Sequence, residues 1–517
     1  MTHAGAASIP MLDHLQRKRY PSRRSERGQV LILTLMLMLV GVGAGLLIYN
    51  LPRPAEQNIQ RDKITAAALA EAKLALIGFA TGVNLTSSRR PGDLPCPDLK
   101  DNGEAESSCG SAAGSNQAQR LGRLPWKTLG LPDLRDGYGE RLWYAVSNNF
   151  KNNFRTTCTS PGQAGCLNSD ARGTITVRDS TGNVINDGAN PDQFTPSGVI
   201  AVIFAPGAIL QRQGAAGAQD RSCTGGICNP ANDTAGVCTS SPFTLTPKCN
   251  PINYLDILTG VEDNADFTDG SSTNGFINGV IRDASNNAVV NDRLISITYN
   301  DLMPALQRRV AKEVLNCLND YAALTQNGGP TNGRYPWAVP VNDWPTYTDK
   351  VNTRFGRLPD TPFSDTPLGV PGGVAVSSCP TTSPPTVCMK DTWPPGLCNI
   401  PGSWWTNWKE IVFYGVADEY QPADPNLMSG VPASGGCGSC LRVDPPSSSD
   451  DKRVVVAVAG KRLSDAAYNQ GNDQPRSSTS DKQDPRNYLE GENESGSVNR
   501  YEQQPISASF SDFLLYR

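Results

Sequence analysis

The chain has 517 residues and a formal net charge of −4, with 49 Gly, 40 Pro and 14 Cys. That acidic balance argues against an extended phosphate-binding surface, so no nucleic-acid partner is expected. The length allows two or three domains, and Gly, Pro, Ser, Thr and Asn between the apolar runs point to short strands and many loops rather than a helical bundle.

A basic cluster of Arg17, Lys18, Arg19, Arg23, Arg24 and Arg27 precedes Gly28-Gln29 and the uncharged run Val30 to Tyr49. Those twenty residues suffice to cross a bilayer as a helix. Positive charge at one end holds that end in the cytoplasm. The expected topology is a single pass through the inner membrane, with the N-terminus cytoplasmic and the globular part periplasmic. No small-x-small cleavage site ends the run, which passes into Leu51-Pro52-Arg53-Pro54. A plain signal anchor is the simplest alternative.

A basic leader ending in Gly, followed by a long apolar helix, resembles a type IV prepilin. The resemblance implies that a prepilin peptidase cuts between Gly28 and Gln29 and that Gln29 becomes a methylated N-terminus. Most pilins carry Glu at the fifth mature position, where this chain has Leu33. A carboxylate in hydrocarbon is costly unless paired, and in the family it meets the terminal amine of a neighbouring subunit. Tip-type minor pilins and pseudopilins also lack this Glu, so the resemblance with Leu33 points to a minor or initiating subunit. The leader holds six Lys/Arg against Asp13 and Glu26, and its loss would take the net charge to −8.

Ala55 to Thr81 reads as a helix, with Ile59, Ile64, Ala67, Leu69, Leu74, Ile77 and Phe79 as its apolar face and Gly82 as its stop. Pro52 and Pro54 break it from the membrane segment. Next comes Asp136-Gly-Tyr-Gly-Glu-Arg-Leu-Trp-Tyr144, a Gly turn feeding a half-buried strand over 142–146. It resembles the segment that opens the sheet in pseudopilins, with Gly137 in place of the first Pro. Further strands are expected at 173–178 and, as a continuously apolar central strand, at 199–204.

The second half repeats the first in order. A helix is expected over Ala305 to Leu324, followed by Asn332-Gly-Arg-Tyr-Pro-Trp337, which resembles the segment after the pseudopilin helix. Arg354-Phe-Gly-Arg-Leu-Pro359 repeats Arg120-Leu-Gly-Arg-Leu-Pro125, and Glu410 to Val416 repeats Glu140 to Val146. Val454 to Leu463 repeats Ile200 to Leu210, Arg476-Ser477 repeats Arg221-Ser222, and Asn487-Tyr-Leu489 repeats Asn253-Tyr-Leu255. Closing strands are expected at 293–298 and 505–510. The expected fold class is therefore α+β: a helix on an antiparallel sheet, then a second such module. The expected divisions are a leader at 1–28, a membrane or filament-core helix at 29–53, and pilin-like modules at 54–300 and 301–517.

All 14 Cys lie beyond the apolar run, in even number, as suits an oxidising compartment. Close pairs are Cys96/Cys109, Cys158/Cys166, Cys223/Cys228, Cys238/Cys249, Cys379/Cys388 and Cys437/Cys440, leaving Cys317 and Cys398 for a long-range bridge. Cys437 and Cys440 have zinc-ligand spacing, but no second such pair or His completes a site.

With His3 and His14 in the leader, histidine-dependent catalysis has no residue in the exported part. No phosphate loop or dinucleotide fingerprint occurs, and neither an enzymatic role nor a cofactor is expected. Calcium is the one ligand with a candidate set: Asp98, Asp101, Asn102 and Glu106 around a Gly turn, with Lys100 misplaced for an EF-type loop. Glu262, Asp263, Asp266 and Asp269 form a second acidic loop. Trp404, Trp405 and Trp408 stand together before a strand, where an exposed cluster would form a partner surface. The resemblance implies a minor pilus or pseudopilus subunit that packs with other subunits through its apolar helix. An anchored periplasmic binding protein and an anchored hydrolase are the rival readings.

Overall fold

The computed structural model describes residues 35, 36, 38, 54–84, 89–110, 120–151, 158, 166–189, 198–214, 218, 219, 221, 250–266, 268–324, 333–350, 352–362, 393, 394, 400, 404–422, 440–445, 450–464, 472–494 and 499–517. The protein divides into two units, Met1–Arg61 and Asp62–Arg517. In the first, Gly28 and Gln29 lie outside the described residues, as does nearly all of the expected membrane segment. Leu35, Met36 and Met38 are helical and exposed.

The body is mixed α/β, with small antiparallel sheets. Helix α1 (Pro54–Thr81) runs from the first unit into the second. Among the strands that follow, four build the main sheet of this half: β1 (Leu121–Arg123), β2 (Trp143–Val146), β3 (Ala201–Ala205) and β4 (Arg293–Ile297). They form one antiparallel sheet in the order β1-β2-β3-β4. Helix α2 (Tyr299–Ala323) leads into β5 (Phe355–Arg357), β6 (Val412–Val416), β7 (Val454–Val458) and β8 (Phe513–Tyr516). These form a second antiparallel sheet in the matching order β5-β6-β7-β8. The two central strands β3 and β7 are buried along their whole length, as continuous apolar runs flanked on both edges require.

Several expectations shift by a few residues, each for a local reason. Helix α2 begins at Tyr299, six residues before the expected start, because Thr298 and Asp301 form a capping box across its first turn. Pro304 lies inside the helix. The closing strand of the second sheet lies at Phe513–Tyr516, not at 505–510, where Ser507 and Ser509 hold a turn through side-chain bonds.

The buried face of α1 also differs from the expected one. Thr65, Ala68, Leu69, Ala72, Leu76 and Ala80 are buried, whereas Ile59, Ile64 and Leu74 are 55%, 43% and 69% exposed. A helix whose apolar and charged residues are spread around its axis does not declare its packing face by hydrophobicity. Here the small Ala side chains face the core, among them Ala72, Leu76 and Ala80 in one cluster with Tyr144, Val146 and Ile203. Thr65 adds a polar tie by accepting the Gly137 N–H at 3.0 Å.

The two sheets share one apolar cluster through α2, whose Leu302, Leu306, Val310, Val314 and Leu318 are fully buried. The segment 166–172 couples the two halves by polar contacts. Asn407 Oδ1 accepts the Leu167 N–H at 2.9 Å, the Asn407 carbonyl accepts from Asn168 Nδ2 at 2.9 Å, and Ser169 Oγ donates to the Ala459 carbonyl. Tyr299 Oη donates to the Ser169 carbonyl, and Asp170 accepts from Arg476. Buried polar groups satisfied this way fix one arrangement of the halves, because separation would strand them all.

Candidate functional site

The first acidic turn is built around Asp98, which is bridged to Arg123 of β1. Its carboxylate accepts the backbone N–H groups of Lys100, Asn102 and Gly103, the last at 2.6 Å. Gly103 has φ +84°, and a Cβ there would stand 2.6 Å from the Trp126 ring, so only Gly closes the turn. Burial pushes Asp98 up to about 6, with Asp101 adding repulsion against the three N–H donors.

The other candidate calcium oxygens are engaged by cations. Asp101 pairs with Arg141 at 2.9 Å and Glu106 with Lys100 at 2.9 Å. Asn102 caps Glu104 N–H through Oδ1. In the second acidic loop Glu262 pairs with Arg178, Asp263 with Arg212 and Asp269 with Arg120. Among the described residues no group of three or more His, Cys, Asp and Glu is arranged to hold a metal ion. In this structure the oxygens of Asp98 and Asn102 hold a turn, while Asp101 pairs with Arg141 and Glu106 with Lys100. A chelator is expected to leave the unfolding midpoint unchanged in a thermal melt, whereas Asp98→Ala loses about 1–3 kcal/mol through three unpaired N–H groups.

The tryptophans are in the core, not on a surface. Trp404, Trp405 and Trp408 are 1%, 1% and 0% exposed. Trp404 and Trp405 meet edge to face at 5.5 Å. Trp405 Nε1 donates to Asp360 Oδ1 at 3.0 Å, and Lys409 holds the other oxygen of that carboxylate at 2.6 Å. Trp405–Trp408 is a single helical turn laid against the sheet, so its aromatic residues face inward.

Cys96–Cys109 and Cys158–Cys166 are disulfides, as paired from sequence. Lys151 pins the first of these loops, donating to the Gly110 and Cys109 carbonyls. Cys317 and Cys440 are also disulfide-bonded. Their expected partners Cys398 and Cys437 lie outside the described residues, as do Cys223, Cys228, Cys238, Cys249, Cys379 and Cys388.

The best-built constellation is one that sequence reading touched without assigning a role, and it occurs once on each sheet. In the first half, Arg221 donates to the carbonyls of Gly207, Asn253 and Tyr254 and to Gln219 Oε1. In the second, Arg476 donates to the carbonyls of Gly460, Asn487 and Tyr488 and to Gln474 Oε1. Each Gln amide then reaches an acid: Gln219 Nε2 to Asp256 at 2.9 Å, and Gln474 Nε2 to Glu490 at 3.4 Å. The first acid of each set clasps a second one just before the last strand. Asp256 N–H donates to Asp292 at 2.6 Å and Glu490 N–H to Asp512 at 2.9 Å. In return Asp256 accepts the Asn291 N–H at 2.7 Å, and Glu490 accepts the Ser511 N–H at 2.9 Å. An Asn completes each clasp, Asn264 on Asp292 and Asn493 on Asp512.

The signal was present as Gln-x-Arg followed by Asn/Asp-Pro-x-Asn-Tyr-Leu-Asp/Glu in both halves, at 219–221 with 250–256 and at 474–476 with 484–490. The Pro opens a short 3₁₀ turn whose first side chain caps it in each case. No family model, curated protein or solved structure matches this chain.

Among the described residues one helix, Glu56–Thr81, is long and apolar enough to cross a membrane, with a third of its apolar window buried in the body.

Proposed function

We propose that the chain is a minor subunit, of the tip or initiating type, of a type IV pilus or a type II secretion-like pseudopilus. The observation that carries this reading is the order of elements. A basic leader ending at Gly28 and an apolar run lead to a long helix, α1, that lies on a four-stranded antiparallel sheet. The second helix and sheet repeat the strand order and the Arg–Gln–acid clasp of the first, which supports reading them as a duplicated pilin-like module.

In this reading Gln29 is the mature N-terminus, and the apolar helix exchanges lipid contact for contact with neighbouring subunits. Leu33 removes the carboxylate that would demand a partner above it. The exported body, stapled by disulfides, is displayed from the inner membrane or at a filament tip, for priming assembly or for adhesion. Its role is structural, and no turnover is assigned to it.

The N-terminal residue of the protein recovered from membranes and from sheared surface filaments tests this. The expected result is a chain beginning with methylated Gln29, present in the filament fraction, and a Gly28→Arg variant that keeps its leader and is absent from filaments. An intact leader on the natural chain would leave an anchored ectodomain instead.

A further inference from the structure

We infer that each four-stranded sheet is latched by a buried carboxyl pair that keeps a proton in the folded chain, so that the body tightens on acidification and loosens as pH rises. The pairs are Asp256 with Asp292 and Glu490 with Asp512, and each fastens the 3₁₀ turn to the entrance of the last strand of its sheet, β4 or β8.

Geometry carries the inference. Asp256 and Asp292 are fully buried, and Glu490 and Asp512 are 7% and 3% exposed. In both pairs the second acid has one carboxyl oxygen, Asp292 Oδ1 or Asp512 Oδ1, that is buried and without a hydrogen-bond partner. An ionised carboxylate with a bare oxygen in such a place is costly, and a second carboxylate beside it makes double ionisation costlier still. Among the described residues no lysine or arginine forms an ion pair with any of the four acids.

The charged groups around them do not remove the conflict. Asp256 faces Arg221 and Arg212, but Arg221 spends its N–H groups on Gly207, Asn253, Tyr254 and Gln219, and Arg212 is paired with Asp263. Glu490 faces Arg476, which is paired with Asp170, and the Tyr299 hydroxyl stands near the same group. Burial pushes Asp256 up to about 6, and it drives Asp292, Glu490 and Asp512 upward as well. The neighbouring acid raises Asp292 and Asp512 further. That the same arrangement was built twice, on separate sheets and with Asp exchanged for Glu, marks it as a device of the fold.

The sign follows from linkage. Below the ordinary carboxyl range both folded and unfolded chains hold these protons, and the latches contribute fully. As pH rises past 3.8, the ordinary Asp value, the unfolded chain ionises first. Stability therefore falls until pH passes the folded values, about 6 for Asp256 and raised well above the ordinary carboxyl range for Asp292.

The test uses the full-length chain in detergent micelles. Infrared spectra of protein with isotope-labelled carboxyls should show a protonated carboxyl stretch at neutral pH, reduced in Asp292→Asn and again in Asp512→Asn. The thermal midpoint of the natural chain, measured relative to the double variant, should fall as pH is raised from about 5 to about 8. Referencing to the variant removes opposing groups such as Lys151, which burial pushes down to about 8. Absence of a protonated carboxyl at neutral pH in the natural chain would overturn the inference. So would a relative midpoint that stays flat or rises. The infrared titration of the natural chain decides the matter even if a variant fails to fold.

Discussion

Replacing Arg476 with Leu is expected to cost about 3–5 kcal/mol, read as a fall in the urea midpoint at unchanged slope. The guanidinium is fully enclosed. It donates to Asp170 at 2.8 Å, to the Gly460, Asn487 and Tyr488 carbonyls and to Gln474, and it lies over the Tyr488 ring. Leu fills part of the volume but leaves three buried carbonyls without donors, each a desolvation cost with nothing returned. It also removes the shorter of two arginine contacts to Asp170, the other being Arg462 at 4.0 Å. Arg221→Leu is the informative comparison. It strips the same three carbonyls in the first half, but its acidic neighbour Glu140 lies at 3.6 Å and is partly exposed. Arg476→Leu should therefore be the more damaging of the two. Equal losses would show that the Asp170 contact between the halves contributes nothing.

Trp408→Ala is expected to lose about 3–5 kcal/mol in the same measurement, because a fully buried indole leaves a cavity that the sheet cannot close. Its Nε1–H has no acceptor among the described residues. Trp408→Phe removes that unpaired donor while keeping most of the apolar volume, so its cost should be far smaller. Trp405 should behave differently. Its Nε1 donates to Asp360, so Trp405→Phe strands an acceptor and should cost more than Trp408→Phe. If Trp408→Ala left stability unchanged, the indole would have to be at the surface, and a binding role for this cluster would return.

These expectations locate the line between what sequence patterning reveals and what packing decides. The strands were legible where apolar runs were continuous, as in β3 and β7, because a strand buried on both faces must be apolar throughout. Helix α1 was legible to within a residue of its start, and the local disulfides followed from short spacing in a loop-rich chain. The order of repeated motifs also carried over, since β1 and β5, β2 and β6, and β3 and β7 fall on the aligned segments.

What failed depended on which side of an element meets a neighbour. The face of α1, the burial of Trp404, Trp405 and Trp408 and the pairing of Asp101 with Arg141 are set by contacts across long stretches of chain. Composition and spacing cannot encode such contacts, because a Trp at a core position and one at a binding surface read alike in sequence. An acidic loop likewise reads the same whether its oxygens meet a cation from solvent or an arginine from another strand. Most elements and their order along the chain could be read from local propensity and apolar period, because both are properties of short stretches. The sealing of the acids in pairs could not, because burial of a carboxyl is a property of everything packed around it.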